Sequence, residues 1–371
     1  VHITKHVKKH TKGKPAAATV AVLALALSAC GSGGSGDGDG DAQASAGKRT
    51  VTLVSHDSWA ASKDVIAAFE KESGFKVKVL EDGDAGQALN KAVLTKDHPQ
   101  GDVLFGVDNT LLSRALSNEI FDPYEVKESA KIGEGFLVEG NKATPVTTGD
   151  VCVNYDKAYF EKKGLTPPQS FADLVKPAYK NLLVTEDAST SSPGLGFLLG
   201  TAAEYGDKGW QDYWKKLKAN GLKVVSGWEQ AYNEEFSGSA GGKQAGGERP
   251  LVVSYASSPP VEVVYADPQP KEAPTGVATG TCFRQVEYAG LLKNAANPEG
   301  GKALLDFLVS QRFQEDLPLN MFVNPVREDA ALPEVFTKHG VTIEDPKTMA
   351  PGRIAENRDQ WVDQWSSLVL R

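Results

Sequence analysis

Beyond residue 48 the chain alternates short apolar runs with segments whose apolar positions recur every three or four residues. Period two marks a pleated strand and period 3.6 a helix. Residues 50–54, 76–80 and 102–106 read as strands, and 64–71, 87–95 and 110–118 as the helices that follow them. A second series has strands at 182–185 and 251–254, with helices at 194–205, 208–219 and 229–236 between them. Repeated βα units of this size predict an α/β fold, a mostly parallel sheet with helices on both faces. Residues 147–155 and 281–288 are extended segments that cross between the two series. Helices near 298–309 and 353–370 close the chain, and the glycine-rich 238–247 reads as a loose, mobile loop. The expected organisation is two lobes joined by crossover strands. Lobe 1 takes 48–147 with 283–330, lobe 2 takes 148–282, and a helical 331–371 packs on both.

The first 48 residues follow another pattern. Lys5, Lys8, Lys9, Lys12 and Lys14 precede an apolar stretch at 16–29. That stretch is shorter than the roughly 20 residues a membrane-spanning helix needs, so residues 1–29 read as a secretory signal. An uncleaved anchor or a buried helix is the alternative. The stretch ends Leu27-Ser28-Ala29-Cys30, which resembles a bacterial lipobox. The resemblance implies lipidation of the Cys30 thiol and an extracytoplasmic protein anchored to the outer face of the cell membrane. Residues 31–47 hold no large apolar side chain, so 30–47 is expected to be a flexible tether. One acyl chain holds weakly, so stable retention needs two or more.

Charge narrows the function classes. Losing residues 1–29 removes five lysines and no acids, moving the formal charge from −8 to about −13. An acidic body argues against nucleic acid as a partner and suits a cation. Only His56, His98 and His339 lie beyond the signal, and no HExxH, CxxC or GxSxG occurs. The common metal and serine-hydrolase constellations therefore lack their signatures. No metal, cofactor or catalytic residue is expected.

Ligands of open α/β sheets sit beyond the carboxyl ends of strands. The segments there are Ser55-His56-Asp57-Ser58-Trp59, Glu81-Asp82-Gly83 and Val107-Asp108-Asn109. In the second series they are Ser189-Thr190-Ser191-Ser192-Pro193-Gly194 and Ser254-Tyr255-Ala256-Ser257-Ser258-Pro259. Serine before proline is a helix-start signal, with the serine as cap. Ordinary capping is one reading, and an oxyanion held at a helix N-terminus is the other.

These strings, in order, resemble the thiamine-binding proteins of bacterial ABC importers. Asp57-Ser58-Trp59-Ala60-Ala61 and the run from Asp102 to Leu112 carry the likeness. So do Asn154-Tyr155-Asp156-Lys157, Pro167-Pro168-Gln169-Ser170, Gly227-Trp228-Glu229-Gln230-Ala231-Tyr232 and Gln360-Trp361 with Trp365. The resemblance implies a two-lobed periplasmic-binding-protein fold and a monomer. It implies that thiamine or its phosphate esters are captured between the lobes and passed to an ABC permease with a cytoplasmic ATPase. Thiamine pairs an aminopyrimidine with a cationic thiazolium. The rings want aromatic faces, the cation gains about 0.5–2 kcal/mol over such a face, and the amine wants a carboxylate. Trp228, Tyr232 and Tyr255 are the candidate faces and Asp82 the candidate carboxylate. Thr190, Ser191, Ser192 and Gly194 are the candidate oxyanion cradle, and His56, Asp57, Ser58 and Asp108 complete the candidate set.

Three positions depart from the family pattern. His56 stands where a tyrosine is common, Pro260 and Val261 follow Ser258-Pro259 where an aromatic is frequent, and Met321 or Phe322 replaces a tryptophan. In this architecture the crossovers run side by side, so Cys152 on one and Cys282 on the other could form a disulfide. Rival ligands remain for the same scaffold. A polyamine suits Asp57, Glu81, Asp82 and Asp108; ferric iron usually takes an adjacent tyrosine pair, which this chain lacks. A thiaminase-like enzyme, with Cys152 or Cys282 as nucleophile, is the remote alternative.

Overall fold

The computed structural model describes residues 49–371. The expected signal, Cys30 and tether lie outside the described residues. The chain begins with β1 (Thr50–Ser55), α1 (Lys63–Ser73), β2 (Lys76–Glu81), α2 (Ala85–Leu94), β3 (Val103–Asp108), α3 (Leu112–Ser117) and the short β4 (Phe121–Asp122). A long β5 (Thr144–Asp156) leads to the second lobe. There follow α4 (Lys157–Lys163), α5 (Phe171–Leu174), β6 (Leu183–Glu186), α6 (Ser192–Tyr205), α7 (Trp210–Ala219) and β7 (Lys223–Val225). Then come α8 (Trp228–Gln230), α9 (Ala240–Ala245), β8 (Leu251–Tyr255) and α10 (Ser258–Val264). An even longer β9 (Thr275–Leu292) returns to α11 (Pro298–Leu308), α12 (Gln311–Asn320), the short β10 (Asn324–Pro325), α13 (Glu334–His339) and α14 (Pro351–Val369).

One sheet of order β2-β1-β3-β9-β5-β8-β6-β7 runs through both lobes. Its outer parts are parallel, β1 with β2 and β3, and β6 with β7 and β8. The βα connections require this, since parallel neighbours are joined by a crossover helix. β5 and β9 pair antiparallel through the middle. β9 meets β3 from Glu287 to Leu291, and β5 meets β8 from Val151 to Tyr155. Between these stretches lies a waist where Gly149 faces Gln285 and Asp150 faces Arg284, fastened by a 2.6 Å Arg284–Asp150 ion pair.

Just past the waist the β5–β9 register jumps, from Val151 opposite Phe283 to Val153 opposite Ala278. Residues 279–282 of β9 thus bulge opposite Cys152. Thr281 Oγ1 accepts the Val153 N–H at 2.9 Å in place of a ladder bond, and Cys282 is joined to Cys152 by a disulfide. The pairing that the crossover placement made possible is therefore present, on hinge strands and fully buried.

The last helix ties the lobes from behind. Ile354, Arg358, Trp361, Trp365 and Val369 recur at helical spacing and form the buried stripe of α14. Trp361 and Trp365 meet Trp210 and Trp214 of α7 edge-on, at 6.5 and 5.4 Å between ring centroids. The same helix also packs on α3 of the first lobe.

One expectation fails. Residues 238–247 are not a loose loop but hold α9, capped by Ser239, whose Oγ accepts the Gly242 N–H at 2.9 Å. The glycines there serve close approach: a Cβ on Gly242 would fall 1.8 Å from the Phe236 carbonyl oxygen. The neighbouring helix expected at 229–236 is α8 followed by a π-turn over Ala231–Glu235.

Candidate functional site

Between the lobes His56, Ser58, Asp84, Ala85, Ser192, Pro193, Trp228, Tyr255, Glu287, Met321 and Val323 enclose a cavity of about 30 Å³. Each reaches it from a strand end, a helix start or a crossover. Asp84 is the N-cap of α2, its carboxylate accepting the Ala85 N–H at 2.6 Å, with Gln87 completing a capping box. The same carboxylate reaches across the cleft. It accepts the N–H groups of Ser192 (3.3 Å) and Trp228 (3.0 Å) at the starts of α6 and α8. A Cβ at Gly227 would lie 2.9 Å from Asp84 Oδ2, so the glycine makes room for it.

The serine caps expected at Ser-Pro are not formed. Ser191 and Ser257 hold the N-cap positions of α6 and α10 without a side-chain bond to the helix. Asp84 does that work for α6 from the opposite lobe, a carboxylate at a helix N-terminus being favoured by the free N–H groups and the dipole. Ser257 Oγ instead donates to the Phe322 carbonyl at 2.5 Å, a second bridge over the cleft. A third runs through Gln285, whose amide donates to Asp108 Oδ2 (2.7 Å) and Ser192 Oγ (3.1 Å).

His56 forms the floor with Glu287. Nε2 lies 3.1 Å from Glu287 Oε1, Nδ1 lies 3.0 Å from Ser58 Oγ, and Thr147 Oγ1 donates to Glu287 Oε2 at 2.9 Å. Burial lowers the His56 pKa, but the Glu287 bond and charge outweigh it and leave the value raised. The ring fits because Gly106, at φ 104°, carries no Cβ, which would stand 2.5 Å from His56 Cδ2. Trp228 supplies the aromatic wall. Its indole N–H donates to Ser254 Oγ at 2.9 Å, and Tyr232 stacks behind it at 5.0 Å and 11°.

The profile of the bacterial extracellular solute-binding proteins matches residues 64–346. The chain belongs to that family. The thiamine-binding periplasmic protein of Salmonella typhimurium is 30% identical over 332 residues, 87% of this chain and 94% of that one. The Escherichia coli thiamine-binding periplasmic protein is 29% identical over 336 residues, with the same coverage of both chains. A solved periplasmic thiamin binding protein superposes with a TM-score of 0.75 at 28% identity, covering 87% of this chain and 96% of the other. The fold is the mixed α/β periplasmic-binding architecture expected, and the protein is the extracytoplasmic binding component of an ABC importer, not an enzyme.

Within this solute-binding protein the expected residues separate. His56, Ser58, Ser192, Trp228, Tyr255 and Met321 line the cavity. Tyr232 and Phe322 back Trp228 rather than face it; Tyr232 donates to buried Glu262 at 2.9 Å, and Phe322 lies 6.4 Å from the indole. Asp82 is not at the cavity but in an ion pair with Lys91, and Asp57 is exposed. Asp108 is buried behind the cavity, accepting from Thr110, Leu111 and Gln285. Thr190 Oγ1 donates to the Ser226 carbonyl at 2.7 Å. Gly194 is a packing residue, since a Cβ there would meet the Glu186 carbonyl oxygen at 2.7 Å. Ser191 is buried beside Asp84. Of the expected cradle only Ser192 remains, and Asp84 occupies its N–H. Asp84, Ala85, Pro193, Glu287 and Val323 line the cavity outside the expected set. The signal for Asp84 was the Asp-x-x-Gln capping-box spacing to Gln87; a mid-strand glutamate such as Glu287 gave none.

The buried acids set the pH response. Burial raises the pKa of Asp84, raises Glu186 well above its usual value, and pushes Asp108 up to about 7 against its bonds to Thr110 and Gln285. An acid with a raised pKa binds more protons folded than unfolded, and so does His56. Stability therefore falls as pH rises from about 4 to 7 through the acids, and falls further above about 6.5 through His56. Asp108→Asn is expected to flatten that slope in thermal unfolding between about pH 4 and 8; an unchanged slope would remove Asp108 from the account.

Proposed function

We propose that the cleft captures thiamine, in its unphosphorylated form, for delivery to an ABC permease. The observation that carries this is a cavity lined by the indole of Trp228 and by two acidic residues, Asp84 and Glu287. The thiazolium would lie on the indole and the aminopyrimidine amine would donate to a carboxylate. Similarity to the thiamine-binding relatives supports the reading. Asp84 argues against phosphate, because the helix starts that would cradle it already hold a carboxylate. A two-ring ligand needs roughly 300 Å³ or more, so the lobes must part before it enters and close again around it.

The test is titration calorimetry of ligand-stripped protein with thiamine, its mono- and diphosphate, and spermidine. Saturable one-to-one binding of thiamine, tighter than of the diphosphate, is expected. Heat with spermidine alone would replace thiamine by a polyamine, and silence toward all four would end both readings.

We further propose that Cys30 carries the lipid that holds this protein at the membrane, with residues 31–47 as its leash. The basic, apolar and Leu-Ser-Ala-Cys sequence supports this. Cys30→Ala should move the protein from the detergent to the aqueous phase in a partition assay; detergent-phase recovery of both forms would refute it.

A further inference from the structure

We propose that a second site, for a small oxyanion, lies at the back of the molecule in the cavity between α3 and α14. The cavity is about 330 Å³ and is lined by Ser113, Arg114, Ser117, Asn118, Ala355, Arg358 and Asp359. Arg358 is its unusual member. The residue is only 5% exposed, yet its one bonded partner among the described residues is the adjacent Asp359, at 2.5 Å, and its Nε–H has no acceptor. Asp359 is itself 80% exposed, so it screens only part of a charge that burial makes costly. Burial lowers the Arg358 pKa, Asp359 opposes the shift, and the nearby charge of Arg114 adds to it.

Arg114 faces the same cavity from α3, half-buried, and pairs with no carboxylate among the described residues. Two guanidinium groups against one solvent-facing carboxylate leave a positive charge over. Asp108, the other acid whose charge reaches Arg358, is bonded to Thr110 and Gln285. Ser117 and Asn118 are committed, since both side chains donate to the Arg114 carbonyl, so the guanidinium groups and Ser113 form the recognising set. Forked guanidinium donors match phosphate and carboxylate oxygens in pairs, so the occupant is a phosphate-like or carboxylate-bearing anion. Because α14 is also held by α7, an anion here would join α3 of the first lobe to a helix seated on the second. The inference does not rest on thiamine being the ligand of the cleft.

The shared chemistry has two sources, free phosphate and an anionic lipid headgroup. The full-length protein in phosphate-free chloride buffer is titrated with sodium phosphate, and separately sedimented with phosphatidylcholine vesicles with and without phosphatidylglycerol. Saturable phosphate binding is expected in wild type and in Trp228→Leu, weakened roughly tenfold or more by Arg114→Gln, which loses a charge-assisted contact. Arg358→Gln should do the same if it folds; Arg114→Gln carries the test if it does not. Binding to phosphatidylglycerol vesicles alone, lost in Arg114→Gln, would assign the site to a headgroup. No response to either probe, or a response that Arg114→Gln leaves intact, overturns the proposal.

Discussion

Trp228→Leu should lower thiamine affinity by roughly 10–100-fold, the equivalent of one lost stacking surface plus its cation–π share. Trp228→Phe should lose far less. The two variants share an altered volume and the loss of the indole bond to Ser254, but only phenylalanine keeps a π face. Calorimetry of both against thiamine separates stacking from mere packing, and equal losses would mean the ring face is not used. Thermal unfolding must accompany the titration, because Tyr232 leans on the indole and a truncated side chain leaves it unsupported. Asp84→Asn adds a different lesion in the same assay. An amide has one oxygen where the carboxylate serves three N–H groups, so an N–H would confront an N–H at Ser192 or Trp228.

Removing the disulfide should have the largest effect on stability. Replacing Cys152 and Cys282 together by alanine is expected to cost roughly 2–5 kcal/mol, because the bond closes a long stretch of chain in the unfolded state. The two cysteines are 130 residues apart, and the chain-entropy relation puts a loop of that size near the top of the range, at about 5 kcal/mol. The unfolding midpoint should fall by on the order of 3–7 °C. Coincident unfolding curves for the two proteins would show that the bond constrains nothing the fold does not already constrain.

The sheet was readable from the chain because its strands are short apolar runs, and β3 is buried at all six positions. The crossovers were seen only in part: 147–155 and 281–288 stand for β5 and β9, which extend further at both ends. Their remaining residues include Gly276, which carries no strand signal of its own and is extended because Tyr155 of β5 lies opposite it. Residues 238–247 misled for the converse reason. Five glycines suggest freedom, yet two of them, Gly241 and Gly242, lie in α9, which Ser239 caps. At the site, the aromatic wall, Trp228, followed from the resemblance and not from any strand read before it. The carboxylate did not, since Asp82 and Asp84 both lie between β2 and α2 and only the three-dimensional path of the loop decides which one turns inward. Glu287 became a site residue through its place on the hinge, and the sequence around it reads as ordinary strand.

The tryptophans divide the optical signal of this protein. Four of the six, at 210, 214, 361 and 365, sit in the buried seam between α7 and α14, far along the chain from one another but in edge-on contact. Trp228 alone lines the cleft. Emission from the seam follows the integrity of the fold, whereas emission from the cleft follows its occupancy. A ligand that quenches fluorescence without changing the seam's share is seen at Trp228 directly, and unfolding is seen as the red shift of the four seam tryptophans; Trp59, the sixth, lies in neither group.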